Sequence, residues 1–173
     1  MKSVKLDTTS DLCSIYLFRN VTNSSEIKSK LINGEIDATV LNAALIPDIL
    51  QIFVAANKAA LSNFQGEKLT KTIHTEVLFN LSPTKKVSES LKIFGIDEYV
   101  KDLIVVVFSQ DESQEKIKTI QDLIDGDLKD LSELEEITDW SRISKLHGVS
   151  ENTDPKSLTD LVISKTACKE FLI

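Results

Sequence analysis

The sequence predicts an α+β fold: a two-layer sandwich in which a small mixed or mostly antiparallel sheet packs against several helices. Residues 12–18 (LCSIYLF) and 102–109 (DLIVVVFS) are dense in β-branched and aromatic side chains, the mark of strands. Gly and Pro punctuation separates these runs from helical stretches, giving the order β-α-β-α-β-α-β followed by helices. That order suits helices layered on one sheet.

Residues 12–18 form the first strand. Asn23-Ser24-Ser25-Glu26 supplies cap-type residues for a short helix ending near Gly34. Residues 36–41 (IDATVL) read as a weaker strand. Pro47 suits the first turn of a long helix over 47–64, because the N–H it lacks has no partner there, and Gly66 closes it. Residues 73–81 (IHTEVLFNL) read as a strong strand, and 87–94 as a helix closed by Gly95 in the left-handed conformation, with Ile96 packing back on Leu91. The strand over 102–109 is apolar almost throughout and belongs in the middle of the sheet, covered on both faces. Helices follow over 112–124, over 131–147 with a break, and from Asp154-Pro155 almost to Ile173.

A chain of 173 residues, 42% hydrophobic and 27% charged, suits one domain, residues 1–173. The opening MKSVKLDTTSDL has no apolar stretch of the signal-peptide kind, and no run reaches the length of a membrane span. Cys13 and Cys168 lack metal-type spacing, which fits a reducing cytosolic or nuclear setting. The charge is uneven. Residues 111–173 hold fifteen acids against eight bases, whereas residues 54–110 hold seven bases against six acids. Phosphate binding rests on Lys and Arg, so any nucleic-acid contact belongs to the middle third.

Catalytic signatures are missing. The five glycines form no dinucleotide, P-loop or nucleophile-elbow motif. His74-Thr75-Glu76 matches half of a zinc-deaminase signature whose P-C-x-x-C half is absent. His147 lies in an acidic region and reads as a surface residue. No catalytic residue, metal or cofactor is expected. On a strand over 73–81, His74, Glu76 and Asn80 would share a polar face, and Asn80 and Ser82 would organise the turn at Pro83.

On the long helix, Asp48, Gln51, Lys58, Ser62 and Gln65 fall in one polar stripe, with Ile49, Phe53, Ala56, Ala60 and Phe64 in the apolar remainder. Asn57 lies off the polar stripe and should be hydrogen-bonded, within the fold or to a partner. Ala55, Ala56, Ala59 and Ala60 let another backbone approach closely, from inside the fold or from another molecule. Trp140 reads as a partly buried core anchor. Lys68 and Lys71 flank the 73–81 segment on one side, Lys85 and Lys86 on the other.

At residues 36–46 (IDATVLNAALI), 51–59 (QIFVAANKA), 70–83 (TKTIHTEVLFNLSP) and 88–96 (SESLKIFGI) the chain resembles the TPRKB family, kinase-binding subunits of the KEOPS (EKC) tRNA-modification complex. A weaker likeness runs from about Leu12 to the end, through ITDWSRISKL and the final helix. Lys71 stands where the family often has Arg. The resemblance implies a non-catalytic α+β protein of nucleus and cytoplasm that binds and stimulates a PRPK-type atypical kinase/ATPase through the kinase's small lobe. The kinase adjoins a threonylcarbamoyl transferase that modifies the adenosine beside the tRNA anticodon. The family member helps hold tRNA by its 3′ CCA end.

On this resemblance the kinase contact is expected at Ile52, Ala55, Ala56, Lys58 and Ala59, with help from Phe171 and Leu172. The tRNA contact is expected at Lys58, Lys71 and His74. Asn57, Asn80 and Ser82 are expected to be structural. Two other readings stand beside it: a protein-binding adaptor without RNA contact, favoured by the net charge of −7, and a small enzyme using the His74/Glu76/Asn80 face. Alone, the chain is expected to be a monomer without membrane attachment.

Overall fold

Leu103 to Phe108 are all buried, and the strand that carries them is the centre of the molecule. The computed structural model describes residues 1–7, 9–110 and 115–172. Its elements are β1 (Lys2–Lys5), β2 (Leu12–Arg19), α1 (Ser24–Ile32), β3 (Thr39–Asn42), α2 (Ile49–Gln65), α3 (Ile73–Leu81) and α4 (Val87–Phe94). Then come β4 (Leu103–Ser109), α5 (Glu115–Leu123), β5 (Asp127–Lys129), α6 (Leu134–Ile137), α7 (Trp140–His147), α8 (Pro155–Ala167) and α9 (Lys169–Leu172). The strand order is β1-β2-β4-β3, with β5 also paired to β2, and every pairing is antiparallel.

Alternate residues of the sheet feed two cores. Cys13, Ile15, Leu17, Leu41, Ile104, Val106 and Phe108 pack with Ile52 and Ala56 of α2, Val77 and Leu81 of α3 and Phe94 of α4. Tyr16, Phe18, Val40, Leu103, Val105 and Val107 pack with Ile27 of α1 and Ile120 of α5. The α+β class is as expected, and helices cover both faces of the sheet, one layer more than a two-layer sandwich.

Helix α2 starts two residues later than Pro47 suggests, with the Asp48 carboxylate accepting the Leu50 N–H at 2.7 Å, and ends at left-handed Gly66. Helix α4 has the expected bounds, but Gly95 is extended (φ −67°, ψ 177°) rather than left-handed. A glycine is required there by space: a Cβ would lie 2.4 Å from the Leu91 carbonyl oxygen. Ile96 accordingly packs in the second core, with Leu103 and Val105. The expected helix over 112–124 is described from Glu115 onward, its first residues lying outside the described ones. The break in 131–147 falls at Thr138-Asp139, and Trp140 packs against the small cluster of Ile143, Leu158 and Val162.

The main correction concerns 73–81, which is the helix α3 and not a strand. Thr72 and Thr75 form a reciprocal capping box, each hydroxyl accepting the other's N–H at 3.1 Å. From that start Ile73, Val77 and Leu81 fall four residues apart on one helical stripe against α2. Tertiary packing thus overrides the strand preference of Ile, Thr and Val. Two short strands were not expected: β1 and β5 together line the outer edge of β2. Glu133 and Glu136, in the acidic stretch that follows β5, bond to Arg19 at 2.7 and 2.9 Å.

Candidate functional site

The surface and the interior of α2 divide cleanly. Ile52, Ala55, Ala56 and Ala59 are fully buried, so these expected contact residues present no surface. The three alanines serve the close approach of α3, whose buried Asn80 donates its amide to the Ala55 carbonyl at 3.3 Å. Gln51, assigned to a polar stripe, is also buried and donates to the Thr166 hydroxyl of α8 at 3.2 Å.

The opposite side of α2 carries Leu50, Val54, Asn57, Leu61 and Phe64, spaced four, three, four and three residues apart. At 100° per residue they lie within about 40° of one line. Leu50 is 52% exposed and Phe64 74%; Val54 and Leu61 are half-buried. Asn57 is exposed in the middle of this stripe, so of the two expected settings for its amide, inside the fold or toward a partner, the outward-facing one is open to it. The sequence had the signal: this seven-residue recurrence is as regular as the buried one.

Lys58 flanks the stripe and is occupied inside the chain. Its ammonium donates to the Thr166 carbonyl at 3.1 Å, to the Ala167 carbonyl at 2.8 Å and to the Glu170 carboxylate. It therefore caps the C-terminus of α8, where a cation meets the orphan carbonyls and the negative end of the helix dipole. The bond to Glu170 also sets α9 beside α2, and there Phe171 is 83% exposed. The side chain of Leu172, and Ile173, lie outside the described residues.

Buried Lys169 anchors α9 from below, its ammonium bonded to the Phe79 carbonyl and 3.4 Å from the centroid of the Phe79 ring. Burial, and then the like charge of Lys58, lowers its pKa to about 8. Nothing in the sequence pattern marks it, since lysines are rarely buried.

His74 opens α3 and points to β3. Its Nε2 lies 2.7 Å from the Asp37 carboxylate and its Nδ1 3.2 Å from the Thr39 hydroxyl. The side chain is only 14% exposed, which leaves little ring for a base to stack on. Because the segment is helical, Glu76 and Asn80 lie well over a quarter-turn away from His74, and the polar face they would have shared does not exist. A cleft of about 650 Å³ between the N-terminal ends of α2 and α8, lined by Asp48, Leu134, Trp140 and Asp154 among others, includes none of the three. Ser82 does organise the turn as expected, its hydroxyl accepting the Thr84 N–H at 3.3 Å.

Lys71 is exposed in the segment 66–72 between α2 and α3, next to Leu69, which is also exposed. Lys68 is drawn back by a hydrogen bond to Asn63. Of the three residues expected to meet tRNA, Lys58 caps a helix, Lys71 faces solvent and His74 is tied to Asp37. Among the described residues no group of three or more His, Cys, Asp or Glu side chains is arranged to hold a metal, and no helix is long and apolar enough to cross a membrane.

A family model described as kinase binding protein CGI-121 matches residues 18–170. The EKC/KEOPS complex subunit TPRKB of Danio rerio is 34% identical over 155 residues, covering 89% of each chain. The EKC/KEOPS complex subunit CGI121 of Kluyveromyces lactis is 34% identical over 116 residues, covering 67% of this chain and 72% of its own. The EKC/KEOPS complex subunit cgi121 of Schizosaccharomyces pombe is 27% identical over 155 residues, covering 87% and 89%.

Proposed function

The chain belongs to the kinase binding protein CGI-121 family, and we propose that it is a non-catalytic accessory subunit of a KEOPS/EKC complex that binds and stimulates a PRPK-type kinase. The observation that carries this is the outward apolar stripe of α2, Leu50, Val54, Leu61 and Phe64, with exposed Phe171 following Glu170, which Lys58 of α2 holds. Aligned apolar side chains on one helix face favour docking against another protein. The contact thus falls on the outer side of the helix that the resemblance points to.

The same subunit helps hold tRNA, through the exposed 66–72 segment rather than Lys58. Lys71 would meet phosphate as a point charge, and the threonylcarbamoyl transferase would be reached only through the kinase. Lys71→Glu is expected to weaken tRNA retention by the assembled complex several-fold, and more so at low salt, with kinase binding unchanged. Lys58→Met should leave retention as it is while loosening α9. The net charge of −7 favours one other reading, a protein-binding adaptor that never touches RNA. Unchanged retention with Lys71→Glu in a filter-binding titration would select that adaptor.

A further inference from the structure

Glu76 is 3% exposed on α3, yet its carboxylate is not spent on the helix that carries it. One oxygen lies 3.4 Å from the Leu69 N–H; the other accepts the Thr70 N–H at 2.9 Å and the Thr70 hydroxyl at 2.7 Å. The Thr75 hydroxyl adds a bond to Thr70 at 3.0 Å. Two successive backbone amides of the 66–72 segment thus converge on one buried carboxylate, which fixes the segment's path between Gly66 and the Thr72 cap. A charged acceptor for those amides is about twice as strong as a neutral one.

The charge is supported from behind. Lys169 of α9 lies near enough for Glu76 to act on it, opposing the lowering of its pKa by burial and by Lys58. A short surface connection needs no such investment to join two helices, since water satisfies its amides at no cost. Held in this shape, with Lys68 drawn back to Asn63, the segment presents Lys71 and the exposed Leu69.

We propose that Glu76 is a positioning residue that holds the Leu69–Thr70 backbone so that Lys71 is presented to a phosphate-bearing single strand. This rests on the RNA reading of the segment given above. Three variants of the full chain test it: Glu76→Ala, Glu76→Gln and Thr70→Val. Amide exchange followed by NMR reads the clamp, and retention of tRNA by the assembled complex reads its purpose.

Glu76→Ala should speed exchange of the Leu69 and Thr70 amides by about ten- to a hundredfold, with the amides of β4 unchanged. Glu76→Gln, which keeps one acceptor oxygen, should restore part of the protection. Thr70→Val, which spares the buried carboxylate, should speed exchange less. Retention of tRNA should fall in the same order. Unchanged exchange at Leu69 and Thr70 in Glu76→Ala overturns the clamp. Faster exchange with unchanged retention, where Lys71→Glu does lower retention, overturns the positioning role and leaves the RNA reading standing. If Lys71→Glu also changes nothing, the RNA reading fails and the positioning role falls with it.

Discussion

Replacing Phe64 by Asp is expected to weaken binding of the kinase partner by about 30- to 1,000-fold while leaving the chain folded. The residue is 74% exposed at the end of the α2 stripe, so its loss removes little internal packing. Aromatic anchors at interface centres typically contribute 2–4 kcal/mol, and a buried, unpaired carboxylate adds its desolvation cost. The buried face of the same helix should behave oppositely. Ala59→Leu puts extra methylenes between α2 and its neighbours, at a cost of about 1–3 kcal/mol in stability, and affects binding only through the folded fraction. Affinities by surface-plasmon titration and midpoints by urea unfolding separate the two. Were Phe64→Asp to bind as the parent does, the stripe would not be the docking face.

The second large effect is on pH dependence. His147 ends α7, buried, with its Nδ1 lacking a hydrogen-bond partner among the described residues. Burial, and then the positive charge of Lys165, lowers its pKa to about 4. In the unfolded chain the ring titrates near its ordinary value of about 6.5. Between those values the unfolded chain binds a proton that the folded chain refuses. Stability is therefore complete above about pH 6.5 and falls as the pH drops toward 4, by up to about 3 kcal/mol. His147→Asn should lose most of that slope between pH 7 and 4.5 in urea titrations, although its stability at pH 7 is lower. An identical slope in parent and variant would mean that His147 is not the group responsible. The sequence suggested the reverse environment, an exposed histidine among acids. The Ile143, Leu158 and Val162 cluster beside α7 explains the difference, because α8 folds back over that end of the chain.

What was legible in the sequence follows the strength of its local signals. The strands over 12–18 and 102–109 have no competing period, and α4 and α8 carry their own stop or start residues, Gly95 and Asp154-Pro155. Segment 73–81 alternates apolar and polar residues while also repeating Ile73, Val77 and Leu81 at helical spacing, so both periods fit. Contact with α2 decides between them, and a local reading does not include it. The same blindness applies to β1 and β5, which are too short to show a period and exist because β2 offers an edge.

The functional residues divide in the same way. The sequence marks α2 as an amphipathic helix, but which of its two regular faces points outward depends on where α3 and α8 lie. The resemblance points to Lys58 as an RNA contact by its place in the chain alone; Glu170, Thr166 and Ala167 claim it in the fold. Glu76 enters the sequence reading only as part of a polar strand face and Lys169 not at all, since their significance lies in burial, which their residue types argue against.

The most direct test of kinase binding through α2 is a calorimetric titration of the purified chain into a PRPK-type kinase at several temperatures. A single site with submicromolar affinity and a negative heat-capacity change, the sign of apolar burial, is the expected result. No binding up to tens of micromolar, weaker than about −6 kcal/mol, would contradict it.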